Sequence, residues 1–275
     1  MPARAEFDHP RYELRPVLRD GDALLIVPPF GPLNQPSTAA HRLQDRARRE
    51  RFGVSVLYVN LMLAELLGEE AYRAILDAPA SGLLGERVFY AAAYGLPPFG
   101  VADPEERQAF LARTWRRVGE RERGWLDLER LLALEARARR WVEEVARAVL
   151  AARRFRIIGC VSAMQQTAAS VALLNQVKAL RPDVLTLLVG GTREGEHARE
   201  LLSMGARIDY VLAGEGAECF SRFLDNALGG DPPGSPILRG PPDAEDARAS
   251  PDFTELLEQR RYFLREERAP EQAKP

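Results

Sequence analysis

The amino-acid sequence predicts an α/β fold built on a parallel, doubly wound sheet. Two observations predict it: short, continuously apolar runs that are typical of strands buried on both faces, and amphipathic segments of helical length that alternate with them. Five such apolar runs are present. Right-handed crossovers between them favour a Rossmann-like, five-stranded sheet with the flavodoxin-like order 2-1-3-4-5.

The first unit is a strand, a loop, a helix and a second strand. Ala23–Val27 reads ALLIV and stops at two prolines, and Ser37 is placed to cap a helix that extends through Arg51. Residues 54–60, VSVLYVN, are rich in β-branched and aromatic side chains and predict the second strand.

The pattern resumes about a hundred residues later along the chain. Strands three, four and five are predicted at residues 155–162, Leu185–Val189 and Tyr210–Ala213. Helices are expected after them at Thr167–Leu180, 194–204 and 217–228.

Residues 61–154, between the second and third strands, are far more than a crossover needs. They look almost wholly helical apart from breaks at Pro79, Pro97 with Pro98, and Pro104, so they predict an inserted helical subdomain. We therefore expect a sheet domain of residues 1–60 and 155–230, the insertion at 61–154, and a C-terminal linker with one short helix at 231–275. The linker assignment follows from its many proline, glycine and aspartate residues.

Composition excludes several classes of partner. The formal net charge of -2 and the pI near 6.1 provide no general attraction to nucleic acid or to an anionic membrane. The arginine-rich insertion indicates a solvated surface in a chain that uses little lysine, and docking of an acidic partner is the alternative. No signal-peptide core and no run of about 18 apolar residues is present, so we expect a cytoplasmic protein without membrane contact.

Cysteine usage restricts the chemistry further. Cys160 and Cys219 are the only cysteines, too few for a disulfide framework, a four-cysteine zinc site or an iron–sulfur cluster. Cys160 is expected to be a buried apolar residue, and Cys219, near the start of a helix, to be structural.

The loops after the strands are the candidate site, because ligands of open parallel sheets bind outside the carboxyl ends of the strands. These loops read PPFGPLNQPS, SAMQQT, GGTREGE and GEGAE. Ser162 and Gly190 close consecutive strands and should therefore face one slot. Two adjacent glycines, Gly190 and Gly191, indicate either a close approach to the backbone or a positive φ. The GEG of residues 214–216 is equally consistent with a tight turn and with ligand contact.

At these residues the sequence resembles cobalamin-binding Rossmann-like domains, which carry a Ser-x-Leu element and, nearly 30 residues later, a Gly-Gly pair. Here the elements are SAM, from Ser162 to Met164, and Gly190 with Gly191. A closer resemblance is to the N-terminal domain of cobalamin-dependent radical S-adenosylmethionine enzymes that mature ribosomally made peptides. It covers about residues 22–259 and is carried by VPPFGPLNQPS, VLYVNLMLAELLG, GERVFYAAAYG, MQQTAASVALLNQVK, VGGTREGEHARELL, DYVLAGEGAECFSRFLDNAL and SPDFTELLEQ.

The resemblance implies a cobalamin whose nucleotide tail enters the slot beside Ser162 and the two glycines. Two departures qualify it. The Asp-x-His-x-x-Gly motif that supplies a cobalt ligand is absent, so the cofactor is expected to be base-off and His-off. Apolar Phe30, Pro32 and Leu33 are then expected to cover its lower face. The implied contacts are Phe30, Gly31, Pro32, Leu33, Asn34, Gln35, Ser37, Ser162, Met164, Gln165, Gly190, Gly191, Thr192, Gly214, Glu215 and Gly216.

The second departure is the lack of the Cys-x3-Cys-x2-Cys site of the catalytic half. The chain is therefore expected to bind no iron–sulfur cluster and to act with a radical S-adenosylmethionine protein, or a catalytic half supplied separately, on a peptide substrate by methyl transfer or a related modification. A degenerate interaction protein that keeps the fold and binds no corrinoid is the alternative. Dinucleotide binding is disfavoured because no Gly-x-Gly-x-x-Gly follows the first strand. Of the histidines, His41 and His197 are expected on helix surfaces, with metal ligation as the alternative for each.

Overall fold

The computed structural model describes residues 12–78, 82–116, 126–190, 195–203, 207–213, 216–240 and 251–265. These residues form an α/β fold around a sheet of six parallel strands in the order β2-β1-β3-β4-β5-β6. The strands are β1 (Ala23–Val27), β2 (Val54–Tyr58), β3 (Ile157–Val161), β4 (Leu185–Val189), β5 (Tyr210–Ala213) and β6 (Ile237–Arg239).

All but the last of the described α-helices lie in connections between strands, and most of them lie between β2 and β3. They are α1 (Thr38–Arg49), α2 (Val59–Leu67), α3 (Glu69–Leu76), α4 (Leu84–Val88), α5 (Tyr90–Tyr94), α6 (Pro104–Trp115), α7 (Leu128–Ala152), α8 (Thr167–Leu180), α9 (Gly195–Ser203), α10 (Ala217–Gly229) and α11 (Thr254–Phe263). No described helix combines the length and the apolar character needed to cross a membrane.

The prediction of five strands is wrong by one, because β6 adds to the sheet beside β5. Its register pairs Val211 with Ile237 and Ala213 with Arg239. The described part of residues 231–275 therefore contains a strand in addition to the short helix. The strand has only three residues and follows Pro236, so no run long enough to show a period of two was available in the sequence.

The boundary after β2 also differs from its prediction. The strand ends at Tyr58, and α2 starts at the next residue, so Val59 and Asn60 are helical. The first half of α2 is buried on every side and therefore has no polar face. An apolar run without periodicity does not distinguish a buried strand from such a helix.

Helices cover the sheet in two sets. The first set is α1 with α10, which pack against each other, and the second is α7 and α8 with α5. Since α5 and α7 come from the predicted insertion, that insertion contributes to the cover of the sheet. One hydrophobic core includes side chains from the strands and from both sets of helices.

Candidate functional site

The strand order reverses at β1, which lies between β2 and β3. In a doubly wound sheet this reversal opens a crevice at the carboxyl ends of the strands, here between the loop after β1 and the loop after β3. We call the two loops, residues 28–37 and 162–166, the β1 loop and the β3 loop.

A buried glutamine joins these loops. The Gln166 side chain donates from Nε2 to the Pro28 carbonyl oxygen at 2.9 Å and accepts from the Ala163 backbone N–H at 2.8 Å. Gln166 is 3% exposed, so its hydrogen bonds are shielded from water. The spacing of the two loops is therefore set by one side chain.

The β1 loop is also held from the helices that follow β2. Tyr72 of α3 donates its hydroxyl to the Gly31 carbonyl oxygen at 2.8 Å, and Asn60 of α2 donates to the carbonyl oxygen of Pro32 at 3.1 Å. The Asn60 Oδ1 atom is buried without a hydrogen-bond partner among the described residues. Side chains of α2 and α3 therefore hold two carbonyl groups of the β1 loop.

Phe30 lies inside the protein and not on the face of the crevice. It is 2% exposed, its φ is +65°, and its ring stacks on Tyr72 at a centroid distance of 5.5 Å and meets the edge of Phe89 at 6.0 Å. A β-carbon on Gly85 of α4 would lie 2.8 Å from this ring. The positive φ of the Phe30 backbone directs a large apolar side chain beneath α4.

Helix α4 also occupies the amino end of α8. The Glu86 carboxylate accepts hydrogen bonds from the backbone N–H groups of Thr167 and Ala168 at 2.8 and 2.7 Å. Burial raises the pKa of Glu86, while these hydrogen bonds oppose that rise. The amino end of a helix after a strand is the usual phosphate site of such folds, and here it already holds a carboxylate.

The exposed part of the crevice consists of the remaining side chains of the two loops. Pro32, Asn34, Gln35 and Ala163 are exposed, and Met164 is 74% exposed. Leu33 is buried at 3% exposure, and Ser37 caps α1 by accepting from the Ala40 N–H. The exposed surface therefore has amide, proline and methionine groups and no titratable side chain.

Gln165 is turned away from this surface. It has a φ of +65°, is 9% exposed, and its Oε1 accepts from the Gly85 N–H at 3.2 Å. Together with Glu86 it attaches α4 to the β3 loop.

Ser162 and Gly190 are neighbours, as the predicted strand order requires. The Ser162 N–H donates to the Val189 carbonyl oxygen at 2.8 Å. Gly190 has a φ of +82°, and a β-carbon on it would lie 2.5 Å from the Ser162 carbonyl oxygen. Gly190 therefore requires a glycine both for its positive φ and because another group approaches it closely. That group is the backbone of Ser162.

Several predicted contacts lie outside the described residues: Gly191, Thr192, Gly214 and Glu215. Gly216 is described and is the residue before the first turn of α10, close to Cys219. The side chain of His197 is also outside the described part of the chain.

The prediction of a surface position for His41 is wrong. His41 is 0% exposed, with Nδ1 at 3.0 Å from Gln44 Oε1 and Nε2 at 2.8 Å from the Tyr58 hydroxyl. Burial lowers its pKa, with a smaller opposing effect from the Gln44 hydrogen bond. Both ring nitrogens are engaged within the protein, and neither faces the crevice.

The cysteines lie away from the β1 and β3 loops. Cys160 is fully buried within β3, where burial raises the pKa of its thiol, and Cys219 is half-buried in the first turn of α10. Within the described ranges, no group of three or more histidine, cysteine, aspartate or glutamate side chains is placed to hold a metal ion.

Four polar side chains that shape the crevice were not among the predicted contacts: Asn60, Tyr72, Glu86 and Gln166. Asn60 carried a signal, because it is a lone amide in the apolar run LYVNLML. Glu86 carried none, because its partners lie 81 and 82 residues later.

No protein-family model, curated protein or solved structure matches this chain.

Proposed function

We propose that this protein is a cobalamin-binding module that acts with a radical S-adenosylmethionine enzyme in methyl transfer or a related modification of a ribosomally made peptide. The cofactor would lie over the carboxyl ends of the strands and send its nucleotide tail between β3 and β4. The resemblance of the loop sequences motivates this proposal, and the geometry of the crevice supports it.

The observation that carries the proposal is the close approach of Ser162 and Gly190. Val161 and Val189 are register partners, so the loops after β3 and β4 begin side by side. A small hydroxyl side chain and a residue without a side chain meet there. Because the Ser162 carbonyl oxygen occupies the space that a Gly190 side chain would take, a slender polar tail would pass outside this pair, where neither residue presents a bulky side chain.

The exposed loop residues suit a corrinoid that receives no strong donor from the protein. Asn34, Gln35 and Met164 present no imidazole, thiol or carboxylate. His41, the histidine closest in sequence to the β1 loop, has both nitrogens hydrogen-bonded within the core. These residues fit the base-off, His-off cofactor that the sequence predicts.

When bound, the cobalt centre would supply a reducible site that accepts and delivers a methyl group. The residues of this chain would hold and orient the cofactor. Gln166 keeps the two loops at a set distance, Asn34 and Gln35 offer hydrogen bonds to amide groups at the rim, and Met164 provides an apolar contact.

Reconstitution with hydroxocobalamin tests the proposal. Desalted protein should retain stoichiometric cobalamin, and the cobalt(II) form should show no nitrogen superhyperfine splitting in its paramagnetic resonance spectrum. Colourless protein after desalting would refute cobalamin binding. A nitrogen pattern that persists with unlabelled protein and changes on ¹⁵N-histidine labelling would refute the His-off coordination.

Substitution of Gly191 tests the proposed position of the nucleotide tail. Gly191 is chosen because the protein backbone itself already requires a glycine at Gly190. We expect Gly191→Leu to abolish cobalamin retention, because its side chain would fill the space of the tail. Circular dichroism should show an unchanged fold. The matched control is Gly234→Leu, at a position whose β-carbon meets no atom within 4 Å, and it should retain the cofactor.

A second candidate is an interaction protein that keeps the fold and binds no corrinoid. It is favoured because side chains of the protein already occupy the site. Glu86 binds the amino end of α8, and Phe30 fills the space beneath α4. The reconstitution experiment separates the two candidates. Anaerobic iron and sulfide assays on this chain should give no stoichiometric cluster under either candidate, because two cysteines cannot form the three-cysteine site.

A further inference from the structure

Strand β2 lies at an edge of the sheet and carries no protective feature in its own sequence. Its sequence, VSVLY, has no proline and no charged residue, and its register with β1 is continuous over all five residues. Edge strands avoid pairing with another chain by such residues, by a bulge, or by a helix or loop that covers them. The protection of β2 therefore comes from other elements.

Gln259 of α11 takes the place of a neighbouring peptide group. Its side chain donates from Nε2 to the Val56 carbonyl oxygen at 2.7 Å and accepts from the Tyr58 N–H at 2.8 Å. In a parallel sheet, one residue of the adjacent strand makes this pair of hydrogen bonds to residues on either side of its partner. The Gln259 amide thus reproduces a parallel strand residue opposite Leu57.

A second pair of side chains reproduces the preceding peptide group. Gln44 donates to the Val54 carbonyl oxygen at 3.0 Å, and Glu255 accepts from the Val56 N–H at 2.9 Å. Gln44 also donates to Glu255 at 2.9 Å, which holds the two side chains together. Two successive positions of a seventh parallel strand are therefore occupied by side chains.

The contacts of α11 with the edge are mostly polar. Glu255 and Gln259 are buried with Leu256 and Phe263, whereas Leu257 is 54% exposed and Tyr262 is 40% exposed. The buried Glu255 carboxylate is paired with Arg48 at 2.8 Å. The hydrogen bonds to the β2 edge replace contacts with water and so contribute little net stabilisation, and an incoming strand would satisfy the same β2 groups. The main cost of displacing α11 is the exposure of Leu256 and Phe263.

We propose that the outer edge of β2 is a binding site for an extended peptide segment of a partner chain, and that α11 is its internal occupant. The segment would run parallel to β2 and needs backbone N–H groups, hence no proline, opposite Ser55 and Leu57. A second copy of this chain fits less well, because two-fold symmetry makes identical strands meet antiparallel, whereas the side chains of Gln44, Glu255 and Gln259 follow the parallel spacing. This site is separate from the crevice and does not depend on cobalamin binding.

Displacement of α11 can be tested with a dye-labelled synthetic peptide of alternating valine and threonine with terminal lysines. We expect it to bind Glu255→Ala/Gln259→Ala protein at least tenfold more tightly than the wild type, as measured by fluorescence anisotropy. Hydrogen exchange at the Val56 and Tyr58 amides should be faster in this variant and should slow again when the peptide is added.

Two controls accompany this experiment. Leu257→Ala/Glu258→Ala protein, changed on the outer side of the same helix, should bind the peptide as the wild type does. A peptide with proline at its central positions should bind neither variant. The proposal is overturned if the edge amides exchange faster and the peptide still fails to bind, or if it binds without protecting them. Protection of those amides by self-association of the double variant, seen by light scattering, would replace the partner peptide with a second copy.

A measurement on the wild type keeps the proposal testable if the double variant does not fold. Arg260 and Arg261 are trypsin sites within α11. The peptide should increase cleavage at these arginines in a concentration-dependent manner, because cleavage requires the helix to leave the edge and unfold. Cleavage that does not change up to the solubility limit of the peptide would overturn the proposal.

Discussion

Gly190 shows at the scale of a residue how the carboxyl edge of the sheet restricts the sequence. Its φ of +82° is costly for any residue with a β-carbon, and that atom would also meet the Ser162 carbonyl oxygen at 2.5 Å. The neighbouring atom is backbone and cannot move aside as a flexible side chain can.

We therefore expect Gly190→Ala to lower the free energy of unfolding by about 2 kcal/mol or more. Gly229→Ala is the matched control, because a β-carbon there meets no atom within 4 Å and the residue lies in α10. It should be neutral or stabilising by up to about 1 kcal/mol. Urea denaturation compares the two, and equal stabilities would contradict the explanation.

His41 lies in a chain of hydrogen bonds that sets its tautomer. The Ser37 N–H donates to the Tyr58 hydroxyl oxygen, so the Tyr58 O–H is available for His41 Nε2. The Gln44 amide nitrogen donates to Val54, which leaves its oxygen to accept from His41 Nδ1. This arrangement favours neutral His41, since protonation of Nε2 would remove the acceptor of the Tyr58 O–H.

Stability should consequently fall as the pH decreases below about 6.5. Burial lowers the pKa of folded His41 below 6.5, the value of an unperturbed histidine, so the unfolded chain takes up the proton first. The contribution of His41 is fully present above pH 6.5 and is lost toward its folded pKa, with a slope of at most about 1.4 kcal/mol per pH unit. Urea denaturation at pH 7.5, 6.5 and 5.5 measures it. The wild type should lose more stability over this range than His41→Gln, and identical slopes would exclude His41 as the cause.

At the scale of an element, α4 fills part of the crevice and connects the β3 loop to α8. This short helix supplies the Glu86 carboxylate to the amino end of α8. Its Gly85 packs against the Phe30 ring and donates its backbone N–H to Gln165 Oε1. A helix from the region between β2 and β3 thereby contacts the loops after β1 and β3, one of which is distant from it in sequence.

Removing this cap should destabilise the protein. Glu86→Ala leaves the Thr167 and Ala168 N–H groups without their acceptor and should cost about 1–3 kcal/mol. Glu86→Gln keeps one oxygen acceptor and should cost about half as much. Denaturant titration of both variants gives the order, and a larger loss for Gln than for Ala would contradict the capping role.

At the scale of the whole molecule, the C-terminal segment completes both edges of the sheet. Strand β6 pairs with β5 at one edge, and α11 covers β2 at the other. Leu238, Leu256 and Phe263 bury their side chains in the common core. The described residues after α10 are therefore part of the folded unit.

A chain that ends at Gly230 should fail to form a stable monomer. It loses three buried apolar side chains, which together stabilise the fold by about 5 kcal/mol or more, and it exposes the edges of β5 and β2. A chain that ends at Arg265 is the control and should behave as the full chain. Light scattering coupled to size exclusion and thermal unfolding compare them. A monomeric product ending at Gly230 with an unchanged midpoint would contradict this view.

Strands β1, β4 and β5 were predicted with their observed ends, because each is a buried apolar run bounded by prolines, glycines or polar residues. Their order followed from crossover handedness. The end of β2 and the existence of β6 were not predictable in the same way, since one boundary lies inside a continuous apolar run and the other strand is only three residues long.

The features of the candidate site were likewise predictable only where they depend on local sequence. The loops at the carboxyl edge and the neighbouring positions of Ser162 and Gly190 were predicted from strand ends alone. The burial of Phe30 and His41 was not, because their partners Tyr72 and Tyr58 lie on other elements.

The sequence by itself determined the fold class, the five longer strands and the loops that meet at the carboxyl edge. These properties follow from local alternation of apolar runs and turn residues, which each segment carries within itself. Only the tertiary structure decided which loop side chains face outward, that Glu86 occupies the end of α8, and that Gln259 takes the place of a strand beside β2. Those outcomes depend on hydrogen bonds between residues about 80 to 200 positions apart, and no local pattern encodes such partners.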